Sequence, residues 1–115
     1  MAKPCIGYKV VCDVDGVQTS AIMDHVGAGV SYKLGIAARP KEGCGPLCVF
    51  KRKKQALAFA AFYHTVYRCY YIPAGVRRVW VSTYYGRHTR SLASLRATVR
   101  GTRLASSVTL LERVA

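Results

Sequence analysis

Cysteine and histidine are the residues of this sequence that could hold a metal ion. Cys44 and Cys48 are separated by three residues, a spacing found in structural zinc sites, and His64 and Cys69 are available as further ligands. The second pair has a four-residue gap that fits no common zinc knuckle, and Cys69 is expected inside a strand. In the competing interpretation, Cys12, Cys48 and Cys69 are small buried apolar residues. We favour that interpretation and expect no metal and no cofactor.

An acidic pair ends an apolar run near the start of the chain. The eight residues from Val10 to Val17 contain Asp13, Asp15 and Gly16 in the order Asp-x-Asp-Gly. This segment resembles the first motif of haloacid-dehalogenase-type phosphatases, in which the first Asp is the nucleophile and the second an acid or base. That family also needs a later acidic pair to hold magnesium, and after residue 24 this chain contains only two acids. Asp-Gly also favours a type I′ two-residue turn, so we expect a β-hairpin without catalytic residues.

Four consecutive basic residues are the most specific charged feature of the sequence. They lie where a short apolar strand should meet the main helix, and they are Lys51, Arg52, Lys53 and Lys54. Cations at a helix N-terminus face the positive end of the macrodipole, which is unfavourable by a few tenths to about 1 kcal/mol each. Free N–H groups at a helix start also bind anions. The cluster is therefore either an anion-binding site or a solvated turn.

Arginine replaces lysine entirely from position 68 onward. Arg offers a planar fork for phosphate or carboxylate and stacks on aromatic rings. Tyrosines interleave with these arginines, a composition typical both of nucleic-acid binding and of protein interfaces. No RNP, zinc-finger, KH or helix-turn-helix pattern is present, so we expect contacts by charge with little sequence specificity. The further candidate anion- or partner-binding residues are Arg77, Arg78, Arg87, Arg90, Arg96, Arg100, Arg103, Tyr84 and Tyr85.

The positive charge lies almost entirely in the second half of the chain. Residues 1–50 hold five Lys and Arg against four acids, a net charge of +1, whereas residues 51–115 hold thirteen against one, a net charge of +12. So much charge of one sign destabilises a compact state unless a partner neutralises it. We therefore expect an acidic protein surface or a nucleic acid as the partner. The scarcity of acids excludes most hydrolytic mechanisms, so we expect no enzymatic activity.

Length and composition predict one folded domain over residues 1–115. The chain is 51% apolar, with eight Tyr, three Phe and one Trp, enough to bury a single core. No apolar run approaches the roughly 20 residues that span a membrane, and no apolar signal segment is present at the start. The odd number of cysteines, five, predicts free thiols in a reducing, intracellular compartment.

Apolar patterning predicts an α+β domain, a mainly antiparallel sheet with one principal helix packed on it. The helix is expected from Lys53 to His64, a segment rich in Ala, Leu, Lys and Gln. The segment from residue 84 to residue 104 is expected to be a basic arm, or to contain a short helix over residues 91–99.

Alternation of apolar residues predicts a half-buried strand over residues 8–14, with Tyr8 and Val10 on one face and Lys9 and Val11 on the other. The Asp-Gly turn should join this strand to its hairpin partner. Strands are therefore also expected at residues 17–23, 30–34, 47–50, 66–72, 76–83 and 108–111.

Several short apolar segments together resemble small uncharacterised domains of large DNA viruses and phages. These segments are residues 32–35, 47–50, 54–60, 66–69, 101–104 and 108–111. The strand–helix–strand order also resembles half of an ADP-ribosyltransferase, an enzyme that relies on a catalytic Glu after the helix. Glu112, near the end of this chain, does not match that position. The resemblance implies a viral origin and no particular chemistry.

These observations favour a non-enzymatic, basic structural component of a larger particle, such as a minor capsid protein of a virion. Its Arg-rich second half would bind an acidic protein surface or nucleic acid. The first alternative is a free nucleic-acid-binding accessory protein without sequence specificity. The second alternative is a decayed transferase-like domain, which would require a cleft containing an acid with a perturbed pKa.

Overall fold

The structure is a computed structural model that describes residues 3–14, 16–20, 30–40, 46–75, 79–83, 86–90 and 101–115. Within those residues, the chain forms seven strands and one helix. In chain order they are β1 (Cys5–Val14), β2 (Val17–Ser20), β3 (Leu47–Phe50), α1 (Lys53–Phe59), β4 (Thr65–Pro73), β5 (Val79–Thr83), β6 (Gly86–Arg90) and β7 (Thr102–Arg113). The mainly antiparallel sheet with one principal helix is confirmed. None of the described residues forms a helix long and apolar enough to cross a membrane.

Four of the strands close into a small barrel. β4 pairs antiparallel with β1 on one edge and with β7 on the other, and β7 continues the ring to β3. β3 returns to β1 through the pair Tyr8 and Phe50. β2 extends the ring as the hairpin partner of β1, and β5 and β6 form a separate two-stranded sheet. The sequence predicted a strand at each of the four positions of the ring, but it predicted neither their closure nor β6.

Two clusters of buried side chains lie on opposite sides of the barrel wall. The interior cluster contains residues from all four strands and from the segment 30–40: Val11, Tyr32, Ala38, Leu47, Val49, Cys69, Tyr71, Ala105, Val108 and Leu110. The outer cluster, between the wall and α1, contains Val10, Phe50, Ala56 and Val66. Successive residues of a strand point to opposite faces, so Val10 and Val11 show that both faces of β1 are covered. The prediction of a half-buried β1 is therefore wrong, because ring closure encloses one face while α1 covers the other.

Gly7 allows the barrel to be narrow. A Cβ atom at this position would lie 2.7 Å from a ring carbon of Tyr71 and 2.9 Å from the carbonyl oxygen of Phe50. Both distances are shorter than real Cβ contacts, so only glycine lets the Tyr71 ring cross the interior beside β1.

The segment 30–40 lies between β2 and the second half of β7. The N–H of Tyr32 donates to the carbonyl of Gln18 at 2.8 Å, and that of Gly35 donates to Leu110 at 2.8 Å. Ala38 and Val108 exchange two backbone hydrogen bonds of 2.7 and 3.0 Å. The segment makes only isolated bridges, so the short strand predicted at residues 30–34 is wrong. Its hydrogen-bonding partners are distant in sequence, and local patterning could not identify them.

The helix begins where it was predicted but ends five residues early. α1 spans seven residues, and Ala60 has the extended dihedral angles φ −66° and ψ 130°. The chain then makes a turn before β4 begins at Thr65. The Ala-rich composition of residues 56–61 favours a longer helix, and tertiary packing of the turn overrides that preference.

The first hairpin is confirmed. β1 and β2 pair from Val11 with Ser20 to Val14 with Val17, which leaves a two-residue turn. Gly16 has a positive φ of 81°, and its N–H donates to the Asp13 carboxylate at 2.7 Å. Asp15 itself lies outside the described residues.

The second half of the chain differs from prediction mainly in strand length. β7 has twelve residues rather than the four predicted, because its serines and threonine interrupt the apolar pattern that a strand prediction relies on. The Arg-rich arm predicted at residues 84–104 is not shown. Residues 86–90 form β6 and residues 102–104 belong to β7, while residues 84, 85 and 91–100 lie outside the described part of the chain.

Candidate functional site

The basic cluster, Lys51 to Lys54, lies at the junction of β3 and α1. All four side chains are exposed, and Arg52 is the N-cap residue of the helix without a capping side-chain hydrogen bond. The N–H of Lys51 donates to the carbonyl of Gly101 at 3.0 Å, which ties the junction to the start of β7. Gly101 has a φ of 88° and lies against the side chain of Gln55. The backbone that carries the four cations is thus fixed to the barrel.

The described acids do not neutralise the basic cluster. The Asp13 carboxylate accepts a hydrogen bond within the first hairpin, and Glu112 is paired with Arg68 at 2.7 Å. The remaining acids of the sequence lie outside the described residues. Within the described part of the chain, the cluster is therefore an uncompensated patch of four positive charges.

The cluster offers side-chain charge rather than a helix-start anion site. α1 has only seven residues, about two turns, so it adds little macrodipole. The N–H groups of Gln55 and Ala56 already donate to the carbonyl of Arg52, at 3.1 and 3.2 Å. The geometry therefore does not favour an anion held by the helix backbone. If the cluster binds an anion, its four side chains must do so.

An aromatic turn, residues 61–64, follows the helix and was missed by sequence reasoning. The N–H of Ala61 donates to Nδ1 of His64 at 3.0 Å, and the N–H of His64 donates back to the Ala61 carbonyl at 3.0 Å. These reciprocal bonds hold Phe62 and Tyr63 at the apex of the turn, where their side chains are 99% and 64% exposed. The sequence predicts that the helix continues through these residues to His64, so Phe62 and Tyr63 were not expected in a turn.

Aromatic contacts connect this turn to the buried core. Phe50, fully buried on β3, lies 5.3 Å from Phe59 between ring centroids, and Phe59 stacks with His64 at 6.2 Å. His64 in turn contacts Tyr63 at 4.4 Å, and Tyr63 makes an edge-to-face contact with Phe62 at 5.3 Å. The exposed pair is therefore positioned by a continuous series of packed rings.

The exposed face of α1 joins the basic cluster to the aromatic turn. Positions 53, 54, 57 and 58 are exposed, as expected for one face of a helix, whereas Ala56 is fully buried. Between the lysines and the turn this face carries Leu57, which is 43% exposed, and Ala58. Exposed cations, a short exposed apolar strip and two exposed aromatic rings thus follow one another along residues 51–63, and we call these exposed side chains the basic–aromatic surface.

Among the other predicted binding residues that the structure describes, Arg103 lies close to the basic cluster, because it pairs with Val49, two residues before Lys51. Arg103 is exposed at the start of β7 and donates to the carbonyl of Thr102 at 3.1 Å. Burial raises the pKa of the Tyr71 hydroxyl, and the charge of Arg103 opposes this shift. Arg87 and Arg90 belong to β6. The residues that lie outside the described part are Arg77, Arg78, Tyr84, Tyr85, Arg96 and Arg100.

The four described cysteines show no arrangement for metal binding or catalysis. Cys44 lies outside the described residues, and within them no group of three or more Cys, His, Asp or Glu could hold a metal ion. The four described cysteines are free thiols. Burial raises the pKa of the Cys48 thiol, and it raises that of Cys69 from 9.0 to about 12, in both cases against the opposing charge of Lys9. Both thiols are therefore protonated at neutral pH and are poor nucleophiles.

Lys9 is a second residue whose position the sequence did not indicate. Its side chain is fully buried inside the barrel, where Nζ donates to the carbonyl of Cys48 and lies 5.1 Å from the centroid of the Tyr32 ring. We had placed Lys9 on the solvent face of β1. No local signal distinguishes a lysine that enters a barrel from one that faces water.

Comparisons with known proteins do not indicate a function for this chain. No protein-family model matches this chain, and neither a curated protein nor a solved structure matches it at a significant level.

Proposed function

We propose that this protein is a non-enzymatic, basic component of a larger assembly that binds a polyanion through its second half. The observation that carries the proposal is the basic–aromatic surface, where four cations that no described acid neutralises and two exposed aromatic rings lie at the two ends of α1. Among anionic partners, nucleic acid is favoured over an acidic protein surface, because cations beside exposed aromatic side chains are what proteins use to hold nucleic-acid strands. The assembly would be an intracellular particle such as a virion, as the resemblance to viral domains implies.

The alternative of a transferase-like enzyme has less support. Glu112, the acid that would have to serve, lies on the outer surface of β7 in an ion pair with Arg68 whose side chains are 58% and 39% exposed, respectively. A catalytic acid is normally buried in a cleft, whereas the Glu112 side chain is more than half exposed. The nucleic-acid-binding proposal, in contrast, requires no catalytic residue.

The test is a salt titration of duplex DNA binding by the parent protein and a variant without the basic cluster. If about six phosphates are engaged, the affinity of the parent should fall about a thousandfold from 50 to 200 mM salt. The cluster variant should bind more weakly and show a salt slope smaller by roughly three to four, since each lost phosphate contact removes about one. Its substitutions are Lys51→Gln, Arg52→Gln, Lys53→Gln and Lys54→Gln.

A matched control separates local contacts from net charge. The control also loses four exposed cations, so both variants carry +9 instead of +13. It should keep most of the parental salt slope. Equal slopes in the two variants would show that the cluster is only a solvated surface, and a shallow slope in the parent would favour an acidic protein partner. The control substitutions are Lys3→Gln, Lys33→Gln, Arg39→Gln and Arg113→Gln.

The arginines near the end of the chain are tested separately, by a variant that carries Arg96→Gln, Arg100→Gln and Arg103→Gln together. If these arginines also bind phosphates, their loss should reduce the salt slope by an additional amount of roughly two to three. An unchanged slope would confine binding to the basic–aromatic surface.

A further inference from the structure

We infer that the basic–aromatic surface binds single-stranded nucleic acid, with Phe62 and Tyr63 stacking on bases while Lys53 and Lys54 contact phosphates. This inference rests on the proposed function and names the partner more closely. Charge alone selects any polyanion, whereas exposed rings select a strand whose bases are unstacked.

The exposure of Phe62 has no explanation within the fold. Its side chain is 99% exposed, so it contributes almost nothing to the core, although burying a Phe normally stabilises a protein by about 1.5–3 kcal/mol. Nearly all of the ring surface is open to a flat partner. A base that stacked on Phe62 would remove apolar area from water at a site where the protein leaves it exposed.

The aromatic turn is preorganised for such contact. Its two reciprocal hydrogen bonds of 3.0 Å and the stacking of His64 on Phe59 fix the backbone that carries Phe62 and Tyr63. Little conformational entropy is then lost when a base stacks, which favours affinity.

The spacing between cations and rings suits a short stretch of one strand. The five helical residues 55–59 separate Lys54 from the turn by about 8 Å, at about 1.5 Å per residue. Successive phosphates of one strand lie at least about 3.4 Å apart, so this distance covers about two nucleotides at most. Leu57 and Ala58 between them present a low apolar strip rather than a charge, so the strand can lie across the helix face.

Single-stranded nucleic acid fits these residues better than a duplex or a membrane. In a duplex the faces of the bases are already stacked on one another, and the rings would have no partner. An interfacial helix buries a whole apolar face in lipid, whereas α1 exposes Leu57 and Ala58 between lysines and the turn. Stacking contributes about 1–3 kcal/mol per base, and two exposed rings are sufficient for such contacts.

The experiment measures binding of three probes to the full-length chain by fluorescence anisotropy. The probes are an oligothymidylate of about 16 nucleotides, the upper end of common site sizes, a mixed-sequence duplex of the same length, and vesicles rich in anionic lipid. The double variant Phe62→Ala, Tyr63→Ala should lose at least about tenfold in affinity for oligothymidylate, and its affinity for the duplex should stay within about twofold of the parent.

Two further variants control for folding and for aromatic surface in general. Tyr70→Ala removes a ring that is 49% exposed on the outer face of β4, away from the proposed surface, and should leave all three affinities unchanged. Phe62→Trp should retain oligothymidylate binding, and its new indole fluorescence should be quenched by oligothymidylate more than by the duplex.

The outcomes distinguish this inference from the proposed function. If the double variant loses duplex and single-strand affinity equally, or loses neither, the stacking inference is overturned while the charge-based proposal stands. If replacement of the basic cluster also leaves both affinities unchanged, the proposed function fails as well. Vesicle binding that disappears in the double variant, without any preference for the single strand, would assign the surface to a membrane and overturn the inference.

Discussion

Lys9 and the basic cluster place the same kind of charge in opposite surroundings. Lys9 lies inside the barrel, with its ammonium group held by the carbonyl of Cys48 and the face of Tyr32. Lys53 and Lys54 lie in water at the start of α1. A buried ammonium must be satisfied by the protein itself, because transfer out of water costs several kcal/mol, whereas an exposed one is satisfied by water and is free to exchange it for a phosphate. The difference indicates that Lys9 serves the fold, whereas the cluster is accessible to the anionic partner that we propose.

The surroundings of Lys9 support this division. Its positive charge acts to lower the pKa of Cys48 and Cys69, yet burial outweighs that effect and both thiols remain neutral. The barrel interior thus contains an ammonium group without a paired thiolate. The hydrogen bond to the Cys48 carbonyl and the face of the Tyr32 ring both stabilise the charge there.

The largest expected effect is that of reversing the charge inside the barrel. Lys9→Glu should lower the free energy of unfolding by about 3–5 kcal/mol, because an ionised carboxylate would face the Cys48 carbonyl, which is also an acceptor. Lys53→Glu should change it by less than about 0.5 kcal/mol. Urea unfolding monitored by circular dichroism measures both.

A neutral replacement of similar length refines this test. Lys9→Met keeps a similar volume and introduces no carboxylate beside the Cys48 carbonyl, so it should lower the free energy of unfolding by less than Lys9→Glu does. A Lys9→Glu protein as stable as the parent would mean that the side chain reaches water, and the contrast with the cluster would be lost.

A smaller effect is expected from the thiol of Cys69 at alkaline pH. Its pKa is about 12 in the folded protein and near 9.0 when unperturbed. Below pH 9 both states hold the proton and stability does not depend on this group. From pH 9 towards 12 the unfolded state has lost the proton and the folded state keeps it, so stability should fall by about 1 kcal/mol per pH unit.

The measurement is the free energy of unfolding in urea at pH 8, 9 and 10 for the parent and for Cys69→Ala. The variant is expected to be less stable at every pH, since it leaves a small cavity, but its slope between pH 9 and 10 should be smaller than that of the parent. Identical slopes would show that Cys69 does not titrate as a buried thiol.

The smallest expected effect concerns the aromatic turn. His64→Ala removes the acceptor of the Ala61 N–H bond and the ring that stacks on Phe59, and should lower the free energy of unfolding by about 1 kcal/mol. The same change should weaken oligothymidylate binding, because Phe62 and Tyr63 lose their fixed position. His64→Asn keeps a side-chain acceptor and should restore part of both losses. Full oligothymidylate affinity in His64→Ala would show that the turn needs no such support.

Local patterns predicted the elements whose partners are close in sequence or whose composition is uniform. The first hairpin followed from Asp15-Gly16 between alternating strands, and β3 from four consecutive apolar residues. Turn chemistry and continuous burial are local properties, so the sequence expresses them directly. The start of α1 was also correct, since Lys53 opens a run of helix-forming residues.

Elements that depend on distant partners were predicted less well. The length of β7 is set by its pairing with β3 and β4. Ser107 does not look like a strand residue, yet it pairs with Ile72 in the ladder, and Ser106 beside it lies at an irregularity where its hydroxyl donates to the Ile72 carbonyl at 3.3 Å. Local preference amounts to less than about 1 kcal/mol per residue, and tertiary contacts override it.

The sequence by itself determined the charge asymmetry, the antiparallel α+β class and the candidate status of the basic cluster, because composition and alternation do not depend on how the chain closes. Only the tertiary structure decided which of these residues face water. Ring closure placed Lys9 inside the barrel, and the turn after α1 placed Phe62 outside it. Alternation distinguishes the two faces of a strand, but whether a face is covered depends on segments far away in the chain. A buried lysine and an exposed phenylalanine were for that reason beyond sequence reasoning, and they are the residues on which the functional contrast of this protein rests.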